Sequence, residues 1–150
     1  MVQVRPLQES DKGAWLELWH GYLRFYKTSL SDEQTELTWN RLLDPNYNSN
    51  CFVVTDNGQV VGITHYALQT STWAKNNYCY LEDLFVNPDL RGKGYGRALI
   101  DAVRDFAITQ GSSRLYWNTD HDNTTARKLY DTYTNESGKV QYRIHLNSNN

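Results

Sequence analysis

Apolar residues recur along the chain with helical spacing in some segments and with alternating, strand-like spacing in others. Residues 2–5 predict a short strand. A long amphipathic helix is predicted to start near Ser10, because aromatic residues then recur at helical spacing: Trp15, Trp19, Tyr22 and Tyr26. Ser31, with Gln34 three residues later, has a capping-box pattern and predicts a second, short helix. That helix must end near Asp44-Pro45, because proline disfavours helix in the residue before it.

The middle of the chain predicts strands followed by a third helix. Residues 51–71 form two β-rich runs around Asp56-Asn57-Gly58, where Asn-Gly favours a tight hairpin turn. Residues 78–86 predict a third strand of this group. Residues 97–110 carry one apolar helical stripe and end at Gly111.

The last third of the chain predicts two more strands with a helix between them. The strands are expected at residues 115–119 and from Val140 to Leu146, and the helix is capped by Asp122 or Asn123. The tail, residues 147–150, is expected to be frayed. The resulting order, β-α-α-β-β-β-α-β-α-β, predicts an α/β (α+β) fold with a mixed sheet and helices on its faces. No repeat, linker or shift in composition divides residues 1–150, so we expect a single domain.

Composition places the chain among globular proteins, with 39% hydrophobic and 21% charged residues. Its five Trp and eleven Tyr exceed what a core of this size needs, so we expect some of them to line a cleft. Cys51 and Cys79 lie in apolar runs and are expected to be buried thiols in a reducing compartment. Without a leader pattern or an apolar run long enough for a membrane span, we expect a soluble cytoplasmic protein with no membrane partner.

Charge is nearly balanced overall, at −2, but it is uneven along the chain. The small net charge argues against a nucleic-acid partner. Residues 31–44 contain four acidic side chains and one basic side chain, whereas residues 91–104 contain four basic side chains and one acidic one. This pattern fits two solvated helix faces, or a cationic ligand near the first segment and an anionic ligand near the second.

Three glycines precede the third helix in the stretch RGKGYG, residues 91–96. A P-loop requires Ser or Thr after Gly-Lys, and here Gly94 follows Lys93. A dinucleotide fingerprint requires a third glycine where this chain has Arg97. What remains is Arg-x-x-Gly-x-Gly at a helix N-terminus, where backbone N–H groups, the helix dipole and basic side chains favour a pyrophosphate.

The run LEDLFVNPDLRGKGYGRALI, followed by YWNT, Asn123 and ARKLYD, resembles the GCN5-related N-acetyltransferase (GNAT) family over nearly the whole chain. The short motifs LED, residues 81–83, and LYD, residues 129–131, are similar to those of its diamine and polyamine branch. The resemblance implies a mostly antiparallel mixed sheet, acetyl-CoA as cofactor, and direct attack of a primary amine through a tetrahedral intermediate. The chain departs from the family at residues 136–140, where many members have Gly-Phe after the last helix, so the register of the final strands is open.

The resemblance also implies roles for individual residues. Glu82 matches the carboxylate that accepts the amine proton, although a structural carboxylate paired with Arg or Lys would have the same position. Tyr130 matches the general acid, although its helical stripe also fits a core tyrosine. Asn123 either caps its helix or meets the pantetheine arm. The other residues implied to bind coenzyme A are Leu84, Phe85, Val86, Arg91, Gly92, Lys93, Gly94, Tyr95, Gly96 and Arg97.

Lone histidines carry no assigned role. His65 lies in a strand, and His121 lies between two aspartates without the spacing of a metal site, so no metal is expected.

The sequence therefore predicts an acetyltransferase that acts on a small cationic amine. The first alternative is a protein lysine as acceptor, and the second is a catalytically silent coenzyme A-binding module. We expect the protein to be a homodimer.

Overall fold

The computed structural model describes residues 1–146, whose contacts divide into two compact units, Met1–Trp117 and a second unit that begins at Asn118. The first unit contains the strands and helices β1 Val2–Pro6, α1 Lys12–Phe25, α2 Asp32–Leu43, β2 Asn50–Asp56, β3 Gln59–Gln69, β4 Tyr78–Val86, α3 Tyr95–Thr109 and β5 Leu115–Tyr116. The second unit contains α4 Thr124–Tyr130. Single 3-10 turns lie at Glu9–Asp11, before α1, and at Pro88–Leu90, before α3.

The strands form one sheet in the order β1-β2-β3-β4-β5. The first four are antiparallel to their neighbours, and β4 pairs with β5 in parallel. The predicted hairpin between β2 and β3 is confirmed, with Asn57 and Gly58 at φ values of 51° and 81°. Ser31 caps α2 as predicted, because its hydroxyl accepts the Gln34 backbone N–H at 3.0 Å.

Helices cover both faces of this sheet, which confirms the predicted fold class. On one face, α1 and α2 bury Trp15, Trp19 and Trp39 against β2, β3 and β4. On the other face, α3 packs Tyr95 and Leu99 against Val54 and Val61. Burial of these side chains supplies most of the driving force for folding, at about 25 cal/mol per Å² of apolar surface.

The predictions for the end of the chain are partly wrong. The strand expected over residues 115–119 pairs only at Leu115 and Tyr116. The strand expected from Val140 to Leu146 does not form, since residues 131–146 contain no strand. Its alternating apolar residues are all exposed: Val140, Tyr142, Ile144 and Leu146.

Alternation is compatible with a strand, but a strand also needs an edge that satisfies its backbone N–H and C=O groups. Residues 140–146 pair with no strand among the described residues. The expectation for residues 147–150 falls outside the described part of the chain, and the single domain over 1–150 stays a prediction.

None of the helices within residues 1–146 is both long and apolar enough to cross a lipid bilayer.

Candidate active site

The glycine turn leads from the 3-10 turn at Pro88–Leu90 into α3. Gly92 and Gly94 both have a φ of 81°, a left-handed conformation that β-branched and bulky side chains rarely adopt. A Cβ built at either position meets no heavy atom within 4 Å. The glycines are therefore required by the backbone conformation, and the space beside them is open.

The first turn of α3 offers a site for an anion. Gly94 is the N-cap residue, and no side chain caps the helix there. The first backbone N–H groups of a helix have no partner within the helix, and the dipole concentrates positive potential at this end. An open, positive-φ glycine turn before an uncapped 15-residue helix fits the pyrophosphate of a coenzyme A molecule.

The side chain of Tyr95 does not point at this open space. It is 3% exposed, packs in the core under α3 and donates its hydroxyl proton to Asp56. Of the residues predicted to bind coenzyme A, Tyr95 therefore offers its backbone rather than its ring.

Within residues 1–146, the second half of β4 has one backbone edge that pairs with no strand. On one side β4 pairs with β3 as far as Val86, but on the other side its parallel pairing with β5 covers only Cys79 and Tyr80. The side chains of Leu84, Phe85 and Val86 are core residues on the two faces of the sheet. The backbone N–H and C=O groups on this edge have no strand partner within residues 1–146. An extended amide chain can hydrogen-bond to such an edge as an additional strand.

Glu82 lies in a β-bulge of β4. His65 pairs with Asp83 and the next residue, Tyr66, pairs with Leu81, so that Glu82 is the extra residue. A bulge redirects the side chain that it contains. The Glu82 side chain is exposed and has no hydrogen-bond or ion-pair partner among residues 1–146, which argues against the structural alternative of a carboxylate paired with Arg or Lys.

Partial burial, and after it the negative charge of Asp83, raise the pKa of Glu82. A carboxylate with a raised pKa is a better proton acceptor at neutral pH. The bulge thus presents an accessible base.

Asp83, next to Glu82, is held by side chains from two other elements. The Tyr22 hydroxyl on α1 donates to Oδ1 at 2.7 Å, and Nδ1 of His65 on β3 lies 2.9 Å from Oδ2. The indole N–H of Trp15 donates to Nε2 of His65 at 3.0 Å. The Asp83 side chain is 15% exposed, so this hydrogen-bonded chain runs from the core to the edge of the site.

Sequence reasoning missed this chain. The sequence predicts that Trp15 and Tyr22 lie on one amphipathic helix, as they do, but it predicts no hydrogen bond for either and no role for His65. The one signal available was the period of Trp15 and Tyr22, which puts both on one helix face.

Two further candidates, Asn123 and Tyr130, lie in the second unit. Asn123 caps α4, since its side-chain oxygen accepts the backbone N–H of Ala126 at 3.4 Å, as predicted. Tyr130 is the last residue of α4 and is half-buried. Their roles towards coenzyme A and the leaving thiolate stay predictions.

The two charged segments are partly solvated helix faces. In α2, Glu36 pairs with Lys12 at 2.8 Å, while Asp32 and Glu33 remain exposed in the first turn. In α3, Arg104 pairs with Asp101 at 3.6 Å on the exposed side of the helix. Arg91 and Lys93, in contrast, lie in the glycine turn itself.

Comparison with known proteins decides the family. The model of the acetyltransferase (GNAT) family matches residues 15–133. The chain belongs to this family. It is an acetyl-CoA-dependent N-acetyltransferase, as the resemblance implied.

Two relatives extend over most of the chain. The D-amino-acid N-acetyltransferase HPA3 of Saccharomyces cerevisiae is 33% identical over 145 residues, which are 95% of this chain and 89% of the relative. The thialysine N-epsilon-acetyltransferase of Bos taurus is 29% identical over 141 residues, 86% of this chain and 81% of the relative.

Solved structures of acetyltransferases share the fold. The aminoglycoside N-acetyltransferase AAC(6')-Iy in complex with CoA superposes with a TM-score of 0.83 at 17% identity, covering 97% of this chain and 95% of that one. A ribosomal-protein-alanine N-acetyltransferase from Brucella melitensis has a TM-score of 0.77 at 22% identity, covering 97% of this chain and 100% of that one. At these identities the likeness supports the fold alone.

Proposed function

We propose that this N-acetyltransferase acetylates the primary amine of a small cationic molecule of the diamine or polyamine type. The observation that carries the proposal is the pair of neighbouring carboxylates at the β4 bulge. Glu82 is accessible and unpaired among the described residues, and Asp83 is fixed by Tyr22 and His65. Two negative charges at one point of the sheet attract a cation and disfavour an anionic acceptor.

The acceptor amine must lose a proton before it attacks. A primary amine with a pKa of about 10.4 is protonated at neutral pH, so freeing its lone pair costs on the order of 4 to 5 kcal/mol. Glu82 is placed to take this proton, directly or through water, and its raised pKa makes it a stronger base than an ordinary carboxylate. Asp83, which already accepts two hydrogen bonds, is better suited to attract the ammonium group by its charge than to remove its proton.

The proposed acetyl-CoA site consists mainly of backbone groups. Acetyl-CoA supplies the acetyl group as a thioester. The N–H groups at the start of α3 hold the pyrophosphate, with the charges of Arg91 and Lys93 beside them. The free edge of β4 orients the extended arm, and one of its N–H groups near Leu84 to Val86 serves as oxyanion donor. Tyr130 holds a proton for the leaving thiolate.

A second candidate acceptor is the α-amine of a D-amino acid. Its support is the relationship to HPA3, which is named for that activity. The thialysine acetyltransferases, whose name specifies an ε-amine on a side chain, support the first candidate. An amino acid carries a carboxylate close to its α-amine, which the two acidic residues at the bulge disfavour. An ε-amine is separated from that carboxylate by the whole length of the side chain.

The test is a set of matched acceptors assayed by release of the CoA thiol. It compares a diamine with the monoamine of equal length, L-lysine with its α-acetylated form, several D-amino acids, and a lysine-containing peptide. The proposal predicts that the diamine exceeds the matched monoamine in kcat/KM by about tenfold, which is ~1.4 kcal/mol of attraction for the second charge. Thiol release without acceptor gives the background. Higher kcat/KM for D-amino acids than for every diamine would replace the first candidate with the second.

A further inference from the structure

The strongest unassigned feature of the first unit is the chain of hydrogen bonds from Trp15 through His65 to Asp83 and Tyr22. Three elements contribute to it, with 50 residues between Trp15 and His65 and 61 between Tyr22 and Asp83. Trp15 is fully buried and His65 is 3% exposed. A buried polar network whose members are all hydrogen-bonded fixes the position and orientation of each side chain in it.

The direction of each hydrogen bond follows from the chemistry of the donors. An indole N–H can only donate, so Nε2 of His65 must accept from Trp15 and carries no proton. The proton of the neutral ring is then on Nδ1 and is donated to Asp83. Burial lowers the pKa of His65 and the hydrogen bond to Asp83 raises it, with a net upward balance. Protonation of Nε2 would nevertheless break the Trp15 bond, so the observed geometry is that of the neutral ring.

Tyr22 completes the arrangement as a donor. Burial, followed by the charge of Asp83, raises the pKa of the Tyr22 hydroxyl well above its ordinary value, so it keeps its proton. Helix α1 reaches β4 closely at this point, since a Cβ at Gly21 would lie 2.9 Å from the Phe85 ring. Asp83 therefore accepts two hydrogen bonds from fixed donors, and its backbone oxygen accepts a third from Thr64 at 2.8 Å.

We propose that this chain is a positioning device that holds Asp83 as a fixed anion beside Glu82, and that this anion makes the site prefer a protonated amine and strengthens Glu82 as a base. The inference rests on the proposed function for the identity of the acceptor. The effect of the Asp83 charge on Glu82 does not depend on any acceptor. Asp83 and its donors are positioning residues, whereas Glu82 is the catalytic residue.

The charged and titratable groups around Glu82 and Asp83 come from all the packed elements. The direct neighbours are Tyr22 from α1 and His65 from β3, and one step further lie Tyr26, just after α1, and Cys51 from β2. Among these groups, Asp83 is the one whose charge raises the pKa of Glu82, since the His65 ring is neutral in the observed geometry. Loss of the Asp83 charge should therefore lower the pKa of Glu82.

Asp83→Asn is the variant that separates charge from structure. The Asn oxygen can accept from Nδ1 of His65, and the Asn NH₂ can donate to the hydroxyl oxygen of Tyr22, so the hydrogen-bonded chain survives while the charge is lost. Thermal stability and acetyl-CoA affinity should match those of the unaltered protein. Titration of the Glu82 carboxyl carbon by NMR, without acceptor, should move to lower pH.

The same variant should reduce the preference for a diamine over the monoamine of equal length by about tenfold. Tyr22→Phe serves as the second variant, because it keeps the charge and loosens the carboxylate: KM for the diamine should rise while the Glu82 titration changes less than in Asp83→Asn. An unchanged Glu82 titration in a folded Asp83→Asn protein would overturn the inference. If no cationic amine is acetylated, the proposed acceptor fails, but the titration still decides the role of Asp83.

Discussion

The glycine turn before α3 and the hydrogen-bonded chain around Asp83 are proposed to bind ligands of opposite charge, and they are built in opposite ways. The turn uses backbone N–H groups, and the positive φ of Gly92 and Gly94 leaves open space beside them. The chain around Asp83 uses side chains, each fixed by a partner from another element. Backbone suits an anion that must approach closely, whereas a carboxylate held in place by its donors suits a small cation.

This difference in construction determines how each region responds to substitution. In the turn, a new side chain fills the space that the ligand needs and strains the backbone. Around Asp83, an isosteric change removes charge while the shape persists. The first region should therefore lose binding abruptly, and the second should change its pH dependence and selectivity gradually.

The largest effect is expected for Gly94→Val. A β-branched residue is strained at a φ of 81°, and its side chain enters the open space beside the helix start. Affinity for acetyl-CoA, measured by calorimetry, should fall at least about a hundredfold, equivalent to ~2.8 kcal/mol.

Gly138→Val is the matched control, because Gly138 also has a positive φ, of 77°, and open surroundings. It should lower thermal stability without a comparable loss of affinity. Equal affinities in Gly94→Val and the unaltered protein would remove the turn from the cofactor site.

Tyr130→Phe tests whether the second unit adds a proton donor to these two regions. The variant should bind acetyl-CoA normally and lose roughly ten- to thousandfold in kcat, because the phenol can no longer donate to the leaving thiolate. Tyr133→Phe, just beyond α4, is the control for loss of a tyrosine hydroxyl. A kcat equal to that of the unaltered protein would make Tyr130 a packing residue.

The contrast also explains what could be predicted from the sequence. The turn is contained in six consecutive residues, and the conformations of Gly92 and Gly94 follow from local steric rules, so its position and shape could be predicted. The chain around Asp83 joins residues that are 18, 50 and 61 positions apart. No local pattern contains it, because it depends on how closely α1 packs on β4.

The end of the chain shows that local patterns are also insufficient to predict strand pairing. The β2–β3 hairpin has both an alternating pattern and the Asn57-Gly58 turn that brings its strands together, and it forms as predicted. Residues 140–146 have the alternating pattern alone, without an adjacent turn that supplies a partner, and they remain irregular. Periodicity identifies the face of a strand, but pairing depends on a second segment.

A smaller effect is expected for Glu82→Gln, which tests whether Glu82 removes the proton of the acceptor amine. Without the base, the enzyme depends on amine that is already deprotonated in solution, so the rate should rise towards higher pH, near the pKa of the amine. At neutral pH kcat/KM should fall about tenfold or more. Glu17→Gln, an exposed change on α1, should leave the profile as it is. A profile in Glu82→Gln identical to that of the unaltered protein would mean that another group removes the proton.

The smallest effect is expected from salt, and it measures how much of the acceptor preference is electrostatic. Attraction between exposed charges is screened over about 8 Å at physiological ionic strength, so KM for a diamine should rise severalfold between about 0.05 and 0.5 M salt. KM for the monoamine of equal length, which carries one charge fewer, should rise less. Asp83→Asn should flatten this salt dependence if the bulge is its source, whereas Asp32→Asn should flatten it if the exposed start of α2 contributes. Glu36→Gln should matter less than either, because Glu36 is already paired with Lys12. A diamine KM that does not change with salt would mean that the two carboxylates recognise the acceptor by hydrogen bonds at short range rather than by attraction at a distance.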